Sequence, residues 1–297
     1  MRQMPEWLQR PRPGARLPHT TLVSAGELAA RLADPDWLVA DCRFELADRD
    51  AGARAWRAGH IPGAIHADLE RDLSAPVTRE TGRHPLPPID VFAATLSRWG
   101  MTGHTQVVAY DAGNGMFAAR LWWMLRFMGH DAVAVLDGGY AAWLAGGYPV
   151  SDAAVTRPPG RFVARPRRAM VCDAVDVTEA LASGEVLVDL RAAERFAGQV
   201  EPLDTVAGHV PGAVNLPFQL NLDEHGRFRS PAALAELWRA RTGAAGGSGL
   251  ICMCGSGVTA CQGLLALEVA GRPGGRLYAG SWSEWIRDPA RPVARDA

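Results

Sequence analysis

Gly59-His60-Ile61-Pro62-Gly63-Ala64-Ile65 returns later in the chain as Gly208-His209-Val210-Pro211-Gly212-Ala213-Val214. A Pro-Gly turn leading into an apolar run is a common local feature, but here its neighbours repeat with it. Upstream, Trp37-Leu38-Val39-Ala40-Asp41-Cys42-Arg43 corresponds to Val186-Leu187-Val188-Asp189-Leu190-Arg191. Downstream, Gln106-Val107-Val108-Ala109-Tyr110-Asp111 corresponds to Leu250-Ile251-Cys252-Met253-Cys254. Each half closes alike, with Asp137-Gly138-Gly139-Tyr140-Ala141-Ala142-Trp143 against Ala279-Gly280-Ser281-Trp282-Ser283-Glu284-Trp285. Matched blocks in one order, far apart, mean two copies of one domain rather than a short-period solenoid. A chain of 297 residues is long enough for each copy to bury its own core.

Within each copy, helical and extended patterns alternate. Ser24-Ala25-Gly26-Glu27 is a capping-box start for a helix through about Ala33, and the next strand ends at Asp41. Apolar spacing predicts a helix from Phe117 to Met128 and a short buried strand from Ala132 to Leu136. In the second half, a helix is expected over Asp176 to Ser183 and a strand over Glu185 to Leu190. Ser230-Pro231 then opens a helix running to Arg239, with Pro at its first position. Short apolar strands alternating with helices predict an α/β fold, a mostly parallel sheet with helices on both faces. The boundaries read as an N-terminal extension at 1–19, a first domain at 20–150, a linker at 151–168 rich in Pro, Gly and Arg, and a second domain at 169–297.

The chemistry concentrates in Cys254-Gly255-Ser256-Gly257-Val258-Thr259-Ala260. A buried strand runs into a small glycine-rich turn, and a helix starts near Val258. That order surrounds one thiol with backbone N–H groups at the positive end of a helix dipole. Such a setting favours a thiolate, the reactive form of cysteine, without a cationic side chain in the loop. Gly255 and Gly257 permit close backbone approach, which an inert core cysteine would not need. The first copy carries Asp111 at the matching position, so only the second copy can do thiol chemistry.

These residues resemble the two-domain rhodanese-like sulfurtransferases over nearly the whole chain. The paired Gly-His-Ile/Val-Pro-Gly-Ala blocks, the Cys-Gly-Ser-Gly-Val-Thr-Ala loop and the Gly-Ser-Trp-x-Glu-Trp ending carry the resemblance, and the loop is similar to the mercaptopyruvate type. Thiosulfate-using relatives more typically have cationic residues there. The resemblance implies tandem rhodanese-like domains and a Cys254 persulfide cycle that needs no metal or organic cofactor. The sulfur donor would be 3-mercaptopyruvate, with thiosulfate as the alternative; the acceptor would be cyanide, a small thiol or a protein thiol. The N–H groups of Gly255, Ser256, Gly257, Val258 and Thr259 would hold the outer sulfur as an anion.

With 3-mercaptopyruvate the donor leaves as an enolate that needs a proton. Ser256 corresponds to the family's proposed relay serine; otherwise it is a small loop-former. His60 and a nearby acid, Asp50, are the expected partners from the first domain. The competing reading is that His60 only ties down a turn, as His209 does in the other copy. Arg195, within Glu194-Arg195-Phe196-x-Gly198, matches the family's substrate arginine, whose planar fork grips a carboxylate. Arg191 is the weaker candidate because it ends a strand. The family usually adds a second arginine in a Glu-Pro-Arg segment, whereas this chain reads Glu201-Pro202-Leu203-Asp204.

Other classes are disfavoured. The net charge of −1 gives no polyanion-binding signature, so neither nucleic acid nor an anionic membrane is an expected partner. No apolar run approaches membrane-spanning length, and the N-terminus lacks a signal-peptide core. Its arginines sit among prolines and Glu6, which argues for a frayed extension rather than a transit peptide. All 31 basic residues are arginine, which removes lysine Schiff bases. Five cysteines without a regular framework fit a reducing, cytoplasmic setting, and Cys252 and Cys261 read as buried structural thiols rather than a redox pair. A phosphatase with the same kind of loop would want an arginine closing it, where this chain has Ala260.

Overall fold

The computed structural model describes residues 18–296. The predicted extension therefore lies almost wholly outside the described residues, as does the reading of its arginines. The first half contains strands β1 (Leu22–Val23), β2 (Trp37–Asp41), β3 (Ile65–His66), β4 (Gln106–Tyr110) and β5 (Val133–Leu136). Its helices are α1 (Ala25–Ala29), α2 (Ala51–Ala58), α3 (Ile89–Arg98), α4 (Met116–Phe127) and α5 (Gly139–Ala145). The second half repeats the scheme with β6 (Val171–Cys172), β7 (Val186–Asp189), β8 (Val214–Asn215), β9 (Leu250–Met253) and β10 (Arg276–Tyr278). Its helices are α6 (Ala174–Ala182), α7 (Ala193–Phe196), α8 (Pro231–Thr242), α9 (Thr259–Val269) and α10 (Ser281–Trp285).

Each half forms a five-stranded sheet, in the orders β1-β5-β4-β2-β3 and β6-β10-β9-β7-β8, and every pairing is parallel. The two orders are the same once the second is renumbered, so the internal repeat is a repeat of topology. The central strands β4 and β9 are buried along their whole length, as expected where helices cover both faces of a parallel sheet. Parallel strands need helical crossovers, which is why the chain alternates between the two periodicities.

Local chemistry accounts for the helix ends. Ser24 and Glu27 form the reciprocal capping box of α1, but the helix closes at Ala29, short of the expected Ala33 and ahead of Pro35. Asp173 caps α6 with a second box to Asp176, so that helix starts before the residue expected. Ser230 caps α8, which outruns Arg239 to Thr242 and stops at Gly243 in the left-handed region, φ +64°. No described helix is long and apolar enough to cross a membrane.

The two halves share a buried core. One hydrophobic cluster takes in Phe117, Leu121 and Trp122 of α4 together with Leu264, Leu265 and Ala266 of α9, so these helices pack across the boundary. The linker at 151–168 is mostly exposed but tied down at several points. Phe162 is buried, the Gly160 N–H donates to the Ser97 carbonyl at 2.8 Å, and Arg157 donates to the carbonyls of Trp37 and Pro35. It is strapped along the first domain because its backbone finds partners there.

Candidate active site

Cys254 follows β9 directly and is 2% exposed. Its N–H donates to Ser281 Oγ at 3.1 Å, and Ser281 Oγ donates to the Tyr278 carbonyl at 2.9 Å. The carbonyls of Cys254 and Gly255 accept from the N–H groups of Trp282 and Ser283 at 3.0 and 2.9 Å. The start of α10 thus holds the loop by its carbonyl side. Among the described residues, the N–H groups from Gly255 through Thr259 have no protein acceptor outside α9 itself. Gly257 makes this turn possible, with φ +76° and no room for a Cβ against the Ala279 backbone.

The first domain shows what such a loop holds. There the Asp111 carboxylate accepts four N–H groups, from Gly113, Gly115, Phe117 and Ala118, at 2.9–3.2 Å. An anion therefore already fills the corresponding bowl. Burial raises the Asp111 pKa while those four bonds oppose it.

A cavity of about 220 Å³ opens above Cys254 between the domains. Cys254, Gly255, Ser256, Val258, Thr259, Arg195 and Leu203 line it from the second domain, and Arg83, His84, Met116 and Phe117 from the first. Ser256 Oγ lies 2.7 Å from His84 Nδ1, both groups being buried. Burial, reinforced by Arg120 and Arg83, pushes the His84 pKa down to about 3, so the imidazole is neutral at ordinary pH. Arg120, fully buried on α4, donates to the carbonyls of His84 at 3.0 Å, Leu73 at 3.3 Å and Gly257 at 3.2 Å. It joins the segment bearing His84 to the cysteine loop.

Arg195 lies at the cavity as expected, its Nε and Nη2 donating to Glu201 at 3.2 and 2.6 Å and its Nη2 to Asp204 at 3.3 Å. Arg191 instead is committed to Asp189 and the Gly208 carbonyl and lies over the Trp282 ring. Arg43 does the same with Asp41 and Gly59 in the first copy, which marks the pair as parts of the fold.

His60 and Asp50 do not meet Ser256. The His60 ring stacks on Trp56, its Nδ1 lies 2.7 Å from the Trp56 carbonyl, and its backbone pairs with Ser151. His209 repeats this, stacked on Phe196 and bonded to its carbonyl, with its backbone paired to Ala294. Both histidines lock a chain return to their own domain. Asp50 is exposed and bonds Arg71 at 2.9 Å. The histidine across the interface is His84. A signal for it exists in the repeat: Gly82-Arg83-His84 corresponds to Gly226-Arg227-Phe228, so the histidine is replaced in the segment facing the loop that lacks cysteine.

The model of the rhodanese-like domain matches this chain twice, at residues 24–146 and 173–288. The chain belongs to the two-domain rhodanese-like sulfurtransferases, of the mercaptopyruvate type. It is similar to a protein of Pseudomonas aeruginosa named "Probable 3-mercaptopyruvate sulfurtransferase", 51% identical over 276 residues covering 92% of this chain and 97% of the relative. A Mycobacterium tuberculosis relative, SseB, carries a thiosulfate sulfurtransferase name and is 39% identical, over 92% of this chain and 96% of its own. The crystal structure of SseA from Escherichia coli, described as a 3-mercaptopyruvate sulfotransferase, matches with a TM-score of 0.78 at 34% identity, covering 90% of this chain and all of that one. For a rhodanese-like sulfurtransferase, a second domain with cysteine and a first with aspartate in the same loop explains why one cavity, not two, carries the thiol.

Proposed function

We propose that this sulfurtransferase takes sulfur from 3-mercaptopyruvate onto Cys254 and passes it to a thiol or cyanide. The observation that carries the reading is the hydrogen-bonded Ser256–His84 pair beside Cys254 in a cavity also lined by Arg195. The Cys254 thiolate attacks the donor sulfur, an S–S bond forms, and the C–S bond breaks with its electron pair passing to carbon as the enolate of pyruvate. The donor's thiol proton is the one that the enolate carbon requires, so transfer through Ser256 and His84 completes the step without net proton uptake. The products are pyruvate and an anionic Cys254 persulfide, whose outer sulfur the N–H groups of the loop stabilise. In the second step an acceptor thiolate or cyanide attacks that outer sulfur and releases the Cys254 thiolate. Burial raises the Glu201 pKa, but Arg195 and the N–H groups of Leu203 and Asp204 together outweigh it and hold the pKa below the ordinary carboxylate value, so Glu201 orients the arginine as a carboxylate.

Thiosulfate gives sulfite, which needs no proton on carbon, so it has no use for the Ser256–His84 pair. The comparison of kcat/KM for the two donors, with cyanide as acceptor, tests the reading. A clear preference for 3-mercaptopyruvate is expected; a preference for thiosulfate overturns it. A cytoplasmic setting fits the five free, buried cysteines.

A further inference from the structure

We infer that Arg120 is a positioning residue for the proton step: from α4 it clamps the His84 segment to the cysteine loop and so keeps Ser256 and His84 in hydrogen-bonding register. The inference rests on the 3-mercaptopyruvate reading. Arg120 does not line the cavity and takes no part in the exchange itself, in which the proton passes from the donor thiol to the enolate carbon.

Three observations carry it. The first is where its nitrogens go. Nη2 donates to the His84 carbonyl at 3.0 Å and to the Leu73 carbonyl at 3.3 Å, while Nη1 donates to the Gly257 carbonyl at 3.2 Å. Gly257 follows Ser256 directly, so one guanidinium bridges the carbonyl of His84 itself and that of its partner's neighbour. A planar guanidinium fixes the separation of its acceptors, which a cation with a single nitrogen cannot do. The 2.7 Å contact from Ser256 Oγ to His84 Nδ1 crosses the domain boundary beside this brace.

The second is its charge. Arg120 is fully buried and, among the described residues, pairs with no carboxylate; the groups that favour its charged form are the thiols of Cys261 and Cys254. A buried cation without an acid is costly, and here it is held by carbonyl oxygens instead. Its charge lies against His84, where it joins burial in keeping the ring neutral. A neutral imidazole keeps one nitrogen able to accept a proton, which an imidazolium lacks. The third is the other copy. Helices α4 and α9 begin at the same distance from Asp111 and Cys254, at Met116 and Thr259, which makes Gly263 the counterpart of Arg120. The counterpart of His84 is Phe228, so the segment facing the aspartate loop has neither a ring nitrogen nor a guanidinium behind it.

Steady-state kinetics and a double-mutant cycle test the assignment. Arg120→Met should lower kcat with 3-mercaptopyruvate about 10- to 100-fold, as misplacement of a proton-transfer group does, with a much smaller loss on thiosulfate. On a Ser256→Ala background, where the pair is already broken, the same change should cost no more than about a further threefold. Losses that multiply in the double variant, equal losses on both donors, or no loss with 3-mercaptopyruvate overturn the assignment and leave the donor reading intact. An unmodified enzyme that prefers thiosulfate overturns the donor reading and this assignment with it. Ser283 Oγ accepts from the Arg83 N–H at 3.0 Å, a second anchor beside His84, so the segment stays attached when Arg120 is replaced. Should Arg120→Met nonetheless fail to fold, Arg120→Lys keeps a cation but cannot bridge both carbonyls, and the same comparisons apply with a smaller loss.

Discussion

At the scale of single residues, the site divides by what each donor needs. Ser256→Ala and His84→Asn should each reduce kcat with 3-mercaptopyruvate by about 10²-fold or more, the usual worth of positioned proton transfer, and affect thiosulfate turnover far less. Steady-state kinetics with both donors check this. A stability consequence follows from the same histidine. In the unfolded chain a histidine takes up a proton near its ordinary value of about 6.5, whereas folded His84 resists until about pH 3. The unfolded state thus binds more protons between those values, so this contribution to stability is complete above about pH 6.5 and is lost as pH falls. His84→Gln should flatten the fall in Tm between pH 7 and pH 4.5, measured by thermal unfolding. Cys254, Ser256 and Arg195 were legible from local sequence because a glycine-flanked thiol at a helix start and an arginine in a motif are local patterns. His84 was not, because its contact spans 172 residues and a histidine in a repeated block drew the reading toward His60. His60 has a counterpart in His209 and both tie down turns, whereas His84 is replaced by Phe228 in the other copy.

At the scale of elements, the cysteine loop is a strand end, a turn and a helix start held from outside. Gly257→Ala puts a side chain at φ +76° against the Ala279 backbone, which costs about 1–2 kcal/mol from conformation alone and more from the collision. It should both lower the unfolding midpoint in urea and slow alkylation of Cys254 by iodoacetamide, since the N–H bowl would be distorted. Arg120 of α4 has a comparable reach. Arg120→Met would leave three buried carbonyls without that donor and should cost about 2–5 kcal/mol of stability. The mostly parallel sheet and several helix positions followed from periodicity and caps, whereas the strand order did not. Helix ends moved by a few residues, as at Asp173, where a capping box starts α6 early. That the linker at 151–168 is tied along the first domain was not legible, because its attachments are mostly bonds to backbone groups, which leave no mark on composition.

At the scale of the whole molecule, duplication has been put to asymmetric use. Each domain lays a Gly-Arg segment over the loop of the other. Arg83 and His84 face Ser283 and Ser256, while Phe228 packs near Gly115 and its N–H donates to Asp137. One of these crossings holds cysteine and histidine; the other holds aspartate and phenylalanine and contributes to the shared core. The aspartate-bearing copy therefore supplies part of the wall of the cavity beside Cys254, and the α4–α9 packing keeps the two halves in register. This arrangement was legible only in part: the repeat announced two domains, but nothing in the chain's order said that each domain completes the other's loop.

The most direct measurement is the mass of the protein after reaction with 3-mercaptopyruvate and no acceptor, followed by mapping of the Cys254 peptide. The account predicts one added sulfur on Cys254, pyruvate released in equal amount, and removal of that sulfur by cyanide as thiocyanate. Sulfur found on Cys252 or Cys261 instead, or pyruvate released by Cys254→Ser, would contradict it.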